Sequence, residues 1–312
     1  MATKIVATAF GGPEVLSVVE ADVPQPGPGE VVIAVKAASI NPIDHKIVSG
    51  AMGADAARLP LPVGLEVAGV VTAVGPDAVG PAGPIGVGDE VIATPVNGGY
   101  ADTVTAPAKV VVPKPAALDW PRAASILLVG GTAAHALQVA AAKPGETLLV
   151  HGAAGSVGQL AVQLAVQDGA RVIGTAGESN HELLRSYGVI PVTYGPGLVD
   201  RVRGLAPDGV DAAIDTIGTD EAVDVSLDLV ADHGRIVSIV AFGRADTGIV
   251  LISGDDPKTN VRAEAWRRLL PAAADGSLNL VVARTYPLAE AAEALRFVRD
   301  GHAGGKVVLL PS

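Results

Sequence analysis

Residues 147–158 read TLLVHGAAGSVG, an apolar strand from Thr147 to His151 running into a glycine-rich turn that opens a helix. Ala153, Gly155 and Gly158 are small, which permits a tight turn, close approach of the backbone to phosphate oxygens, and tight packing of helix on strand. A helix beginning here directs its free N–H groups and the positive end of its dipole at a bound anion, so charge is compensated without lysine or arginine. The stretch predicts a dinucleotide pyrophosphate held at Ala154, Gly155, Ser156 and Val157, hence a nicotinamide cofactor. The alternative is a glycine-rich turn in an α/β protein that binds nothing.

The surroundings favour the first reading. Val157, Leu160, Ala161, Leu164 and Ala165 recur at helical spacing, and the same spacing sets Gln159, Gln163 and Gln167 on the opposite side, predicting a one-faced amphipathic helix. Gly169 suits its C-terminal cap. A second apolar strand, Ala170 to Thr175, completes a strand–helix–strand unit of the kind that builds parallel sheets. Further on, VIPVTYG, VDAAIDTIG, RIVSIVAFG and GIVLIS bring the apolar strands to six with helical patterns between most of them, predicting an α/β doubly wound parallel sheet.

The first third of the chain has a different character. Short β segments punctuated by proline and glycine (Ile5 to Phe10, Val15 to Glu20, Val31 to Ala38, Val67 to Val74, Glu90 to Thr94, Val110 to Val112) suggest an irregular antiparallel barrel, with Gly75 to Gly88 as a surface loop. After Ser253 come a helical stretch from Arg262 to Ala274, the strand VVARTYP, a helix from Leu288 to Arg299 and a last strand, Lys306 to Leu310, expected to return to the first domain. At 312 residues two domains are the default, here 1–121 with 257–312, and 122–256.

A formal net charge of −11, from 33 acidic and 22 basic residues without a basic cluster, argues against nucleic acid or an anionic membrane as partner. The richest apolar stretch, Ala123 to Ala142, is interrupted by Gly130, Gly131, Thr132, His135 and Gln138, and the N-terminus lacks a long apolar core, so a cytoplasmic protein is expected. The chain contains no cysteine, which excludes disulfides, thiolate nucleophiles and sulfur-ligated zinc.

The segments SINPIDHKIVSG (39–50), VGLEVAGVVTAVG (63–75), GDEV, NGGYAD, GGTAAHAL (130–137), HGAAGSVG, GRIVSIVAFG and GGKVVLL, in this order and spacing, resemble the medium-chain dehydrogenase/reductase superfamily, and within it the zinc-independent quinone oxidoreductases related to zeta-crystallin. The resemblance covers essentially the whole chain. It implies a Rossmann domain, a GroES-like irregular antiparallel β-barrel domain and a homodimer. Zinc-using members ligate metal with a cysteine and with the histidine of a GHE segment. Here Ser39 and Leu65 stand in those places, so hydride transfer to an already electrophilic acceptor, a quinone or an alkene conjugated to a carbonyl, is implied in place of alcohol oxidation.

By the same resemblance Asn41 lies beside the nicotinamide and is the candidate catalytic hydrogen-bond donor, the alternative being a residue that shapes the loop before Pro42. Asp44 and Lys46 read either as lining the same cleft or as a surface pair. His45 is near enough to reach it, and solvent is left as a proton source. Thr132 corresponds to a threonine at the nicotinamide ribose, Thr216 to the end of the fourth strand facing the cofactor, Phe242 to the nicotinamide side or to core, and Lys306 to a tail position reaching into the cleft. The second strand ends in Gly174, Thr175 and Ala176 without a carboxylate, which favours NADPH. The cation usual in NADPH-selecting members is absent, Glu178 opposes the phosphate, and Ser179, Asn180, His181 and Tyr194 remain as its hydrogen-bonding partners. Two alternatives stay open: an enoyl or alkenal reductase, and a non-catalytic NADPH-binding protein.

Overall fold

The computed structural model describes residues 1–23, 25–254, 260–301 and 303–311. The chain divides into two compact units, residues 1–128 with 266–312, and 129–265. The change of domain expected at 256/257 lies outside the described residues.

The first unit opens with β1 (Ala2–Ala7), β2 (Leu16–Ala21), β3 (Glu30–Ile40), α1 (Pro42–Val48), β4 (Leu61–Pro62), β5 (Val67–Val74), β6 (Val79–Gly80), β7 (Gly83–Pro84), β8 (Glu90–Ala93), β9 (Thr103–Pro107), β10 (Val111–Pro113) and α2 (Trp120–Ala123). A strand over Ile5 to Phe10 was expected, but β1 ends at Ala7. The Gly11–Gly12–Pro13 sequence turns the chain there, with Thr8 N–H donating to Val15 O across the bend, and Phe10 folds onto the core. The Gly75–Gly88 segment is not wholly loop, because β6 and β7 form a small antiparallel ladder within it.

Helix α3 (Leu127–Ala140) leads into the second unit, where β11 (Thr147–His151), α4 (Ser156–Gln167), β12 (Arg171–Thr175), α5 (His181–Ser186), β13 (Ile190–Val192), α6 (Leu198–Leu205), β14 (Ala212–Asp215), α7 (Asp220–Leu229), β15 (Ile236–Ser238), β16 (Val250–Leu251) and α8 (Val261–Glu264) alternate. Its six strands form one sheet in the order β13-β12-β11-β14-β15-β16, every pairing parallel. Strand order reverses beside β11, the switch point at which open α/β sheets receive ligands. This is the doubly wound Rossmann arrangement.

One detail of that unit departs from the periodicity. Gln159 and Gln163 do not face water: both are buried together with Leu160, Ala161, Val162, Leu164 and Ala165. Gln159 Nε2 donates to Ala154 O at 2.8 Å and Gln163 Nε2 to Gln159 O at 2.8 Å, so the amides are satisfied by backbone and can be enclosed. Gly169, with φ +84°, ends the helix in the left-handed region as expected.

The remaining elements are α9 (Trp266–Ala274), β17 (Val282–Pro287), α10 (Ala291–Arg299) and β18 (Lys306–Leu310). The helix expected over Arg262 to Ala274 is thus two helices, α8 and α9. Strand β18 pairs antiparallel with β3 and parallel with β17, completing a seven-stranded sheet, β10-β8-β5-β3-β18-β17 with β9 also on β3; β2-β1-β4 form a second. Val31, Ile33, Val35, Val67, Val71, Val91, Tyr100, Val307 and Leu309 fill the core of this GroES-like domain. Among the described residues no helix is long and apolar enough to cross a membrane.

Candidate cofactor and active site

In the second unit the glycine turn follows from steric necessity. Gly152 has φ +71°, and a Cβ on Gly158 would lie 2.2 Å from Gly152 O, so the first turn of α4 can press against the loop only without a side chain there. Gly155 N–H donates to Gly152 O at 2.9 Å. The helix N-cap is Gly155, and no side chain caps it, so the opening amides at Ser156 and Val157 keep their donors for an outside acceptor. Gly155 is exposed, and Ala154, Ser156 and Val157 are half-buried. Amides without a side-chain cap, a dipole end and a turn pressed tight by Gly158 fit a dinucleotide pyrophosphate.

Two threonines brace this turn. Thr175 Oγ1 accepts from Gly152 N–H at 3.2 Å and its carbonyl from Ala153 N–H at 3.0 Å. Thr216 Oγ1 donates to His151 O at 2.8 Å and Gly152 O at 3.2 Å. Asp215, which sequence reasoning passed over, is buried at the end of β14 and accepts from Ile217 N–H (2.9 Å), Gly218 N–H (2.8 Å) and the Ser238 hydroxyl (2.6 Å). His151 is equally buried. Its Nε2 lies 3.1 Å from Ser226 Oγ, whose single proton goes to Ala222 O, so the imidazole is the donor. Burial pushes its pKa down to about 4 against the pull of Asp215, leaving it neutral at ordinary pH.

The exposed large hydrophobic side chains of this unit are Tyr194, Ile217 and Phe242, each more than half exposed. They share one position in the topology. Tyr194 follows β13 by two residues, Ile217 follows β14 by two, and Phe242 follows β15 by four, so all three stand past the carboxyl ends of parallel strands. Phe242 is therefore not core, and Ile217 joins the candidates. Its only signal in the sequence was an apolar residue past a strand end. Ser179 is exposed in the 3₁₀ turn Glu178–Asn180, and His181 Nε2 lies 3.3 Å from Ala176 O. Thr132, on α3, accepts from Arg262 Nη1 at 3.2 Å, and Arg262 Nε donates to His135 Nδ1 at 3.1 Å. Arg262 thus reaches a predicted site residue from far along the chain.

In the first unit a second cluster is sealed from solvent: Ser39, Asn41, Asp44, Glu66, Tyr100 and Lys306 are each 2% exposed or less. Lys306 Nζ donates to Asn41 Oδ1 at 2.7 Å and to Ser39 Oγ at 3.1 Å, and lies 3.9 Å from Glu66. Ser39 Oγ donates to Glu66 Oε2 at 2.8 Å, while Glu66 Oε1 accepts the Leu127 and Leu128 amides at 2.8 and 2.9 Å, capping α3. Asn41 Nδ2 lies 3.2 Å from Ser39 Oγ. Asp44 Oδ2 accepts from Asn41 N–H and from the Tyr100 hydroxyl, both at 2.7 Å, and its Oδ1 has no partner. The surface-pair alternative for Asp44 and Lys46 therefore does not hold. Burial pushes Asp44 up to about 6, raises Glu66 and Tyr100, and lowers Lys306.

This cluster occupies the segments where zinc-using members carry ligands, and its chemistry does not suit zinc. It offers a hydroxyl in place of a thiolate, Leu65 in place of an imidazole, and an ammonium among the remaining oxygens, where a second cation would be repelled.

Comparison with known proteins agrees with the architecture. Residues 27–116 match the alcohol dehydrogenase GroES-like domain model and residues 189–309 a zinc-binding dehydrogenase model. The chain is 34% identical to a quinone oxidoreductase of Lama guanicoe, covering 96% of this chain and 95% of that protein. It is 32% identical to a mycocerosic acid synthase-like polyketide synthase of Mycolicibacterium smegmatis, over 91% of this chain but only 14% of that protein's length. Among solved structures, Escherichia coli quinone oxidoreductase complexed with NADPH superposes with a TM-score of 0.86 at 29% identity, covering 99% of this chain and 100% of that one. The CurK enoyl reductase superposes with a TM-score of 0.88 at 25% identity, covering 100% and 99%. The chain belongs to the quinone oxidoreductase family of the medium-chain dehydrogenase/reductase superfamily.

Proposed function

We propose that the chain is a zinc-independent, NADPH-dependent quinone oxidoreductase, cytoplasmic and homodimeric. One observation carries the nucleotide reading: an uncapped, glycine-cradled helix start at the switch point of a parallel sheet whose neighbouring strand ends carry the unit's exposed large apolar side chains. Ala154, Gly155, Ser156 and Val157 would hold the pyrophosphate, Thr132 the nicotinamide ribose, Phe242 the nicotinamide side, and Ser179, His181 and Tyr194 the 2′-phosphate. Thr175 and Thr216 serve by bracing the turn. When bound, the nucleotide supplies hydride to an acceptor that needs no Lewis acid.

Asn41 is assigned the donor to the acceptor oxygen on which negative charge builds. Its carbonyl end is held by Lys306 and its amide nitrogen also faces Ser39 Oγ at 3.2 Å and Ser39 O at 3.4 Å, so the donor to the acceptor would be the amide N–H not turned to Ser39, polarised by the adjacent ammonium. Lys306 thus acts through Asn41. The test is turnover of NADPH with a benzoquinone and, in parallel, with an α,β-unsaturated ketone, on protein stripped of metal. Benzoquinone reduction without metal supports the assignment; a requirement for stoichiometric zinc removes it. The enoyl reductase reading is favoured by the CurK likeness and wins if the enone is the faster acceptor. Tight NADPH binding without turnover of either acceptor identifies a non-catalytic binding protein.

A further inference from the structure

A 2′-phosphate brings close to two negative charges, yet residues 175–181, at the end of the second strand, contain no lysine or arginine and one glutamate, Glu178. The structure supplies a cation from the next strand over. The turn Thr193–Gly197, TYGPG, follows β13, and Arg201 on α6 closes it. Its Nε and Nη2 donate to Thr193 O at 3.2 and 2.8 Å, Nη2 to Gly195 O at 2.9 Å, and Nη1 to Pro196 O at 2.7 Å. One guanidinium therefore ties the carbonyls on either side of Tyr194. On the opposite side, Gly195 N–H donates to Glu221 Oε2 at 3.0 Å.

Gly195 and Gly197 sit at φ +99° and +80°, conformations that glycine alone adopts without strain and from which it can also depart at little cost. Arg201 restrains both glycines by bonding three carbonyls of the turn with a planar fork that a lysine cannot imitate. What it fixes is specific. Val192 pairs with Thr175 and its carbonyl accepts Ala176 N–H at 3.0 Å, which delivers Tyr194 beside the residues following β12. A Cβ on Gly177 would lie 3.9 Å from the Tyr194 hydroxyl. The hydroxyl therefore stands next to the turn that carries Ser179 and His181.

We propose that Arg201 is a specificity-determining positioning residue: by clamping the Thr193–Gly197 turn it holds the Tyr194 hydroxyl where a nucleotide 2′-phosphate is recognised, and so sets the preference for NADPH over NADH. This rests on the nucleotide reading given above. It differs from a structural brace in one respect. A brace would change the affinity of both nucleotides alike, whereas Arg201 acts on the one that carries the phosphate.

The experiment is equilibrium binding of NADPH and NADH to the full chain, followed by nucleotide fluorescence, for the wild type, Arg201→Gln, Arg201→Lys and Tyr194→Phe. NADPH affinity is expected to fall about tenfold in all three variants while NADH affinity stays within about twofold, the loss of a hydrogen bond to a charged group. An equal loss for both nucleotides, or a preference fully kept in Arg201→Lys, overturns the proposal. Should Arg201→Gln fail to fold, Tyr194→Phe decides: an unchanged NADPH to NADH ratio there overturns it as well. A wild type that binds neither nucleotide, or binds NADH better, removes the underlying reading before any variant is measured.

Discussion

Lys306 Nζ lies 2.7 Å from Asn41 Oδ1, and both side chains are 2% exposed. An ammonium buried beside an amide carbonyl pulls electron density from the amide nitrogen and makes its N–H a better donor. Asn41→Ala is expected to lower kcat with the benzoquinone about 100-fold, the scale for loss of one oxyanion donor, with the NADPH dissociation constant little changed. In the double variant with Lys306→Met the second substitution should add far less than it costs alone, because the residues act as a unit. Additive losses would place Lys306 outside the donor's action.

The two glycines of the turn should separate folding from binding. A Cβ on Gly158 meets backbone at 2.2 Å from Gly152 O and 2.8 Å from Ala153 Cα, whereas one on Gly155 meets only Gly152 O, at 3.3 Å. Gly158→Ala is expected to cost about 1–3 kcal/mol of stability and to abolish tight NADPH binding. Gly155→Val should cost less stability than Gly158→Ala and still weaken NADPH at least about tenfold, because it puts a branched side chain at the N-cap beside the proposed pyrophosphate. Paired calorimetry and binding measurements check both.

Two buried groups titrate in opposite senses. Asp44 is pushed up to about 6 from 3.8, so the folded chain holds its proton more tightly than the unfolded one, and that stabilisation is lost as pH rises from about 4 to 6. His151 is pushed down to about 4 from 6.5, so its contribution is complete above 6.5 and is lost as pH falls toward 4. The two act in opposite directions across this range, and Glu66, also raised by burial, adds to the Asp44 side. Compared with the wild type, Tm should fall less with rising pH in Asp44→Asn and more in His151→Asn; parallel curves for all three would contradict the assignment.

Glu66 accepts the Leu127 and Leu128 amides and the Ser39 hydroxyl beside Lys306. Replacing it by alanine leaves the buried ammonium without its nearest counter-charge and the start of α3 without its acceptor, and is expected to cost about 3–5 kcal/mol. Glu66→Gln, which keeps one acceptor oxygen, should lose less. Urea unfolding of the two variants measures the difference.

The sequence announced the Rossmann half clearly because its signals are local: the glycine turn, a helix repeat and a strand lie within 30 residues. Gln159 and Gln163 misled because a polar residue in a helix pattern implies water, and only the three-dimensional structure shows their amides turned onto backbone carbonyls. The buried cluster was half legible. Asn41, Asp44 and Lys306 stood out by motif, but Tyr100, which binds Asp44 across 56 positions, Glu66 as the cap of α3, and Arg262, which meets His135 across 127, had no local mark. Arg201 was hidden for another reason. It acts on backbone carbonyls, which every residue possesses.

The pairing of β18 with β3 sets an order of events in the life of the molecule. Asn41 and Lys306 are separated by 265 positions, and the entire Rossmann unit lies between them in the chain. The glycine turn of the second unit needs no residue of β18, whereas Lys306 meets Asn41 only once that last strand lies against β3. On the proposed reading, the nucleotide cradle is complete before β18 is made, whereas the Lys306–Asn41 contact waits for that last strand.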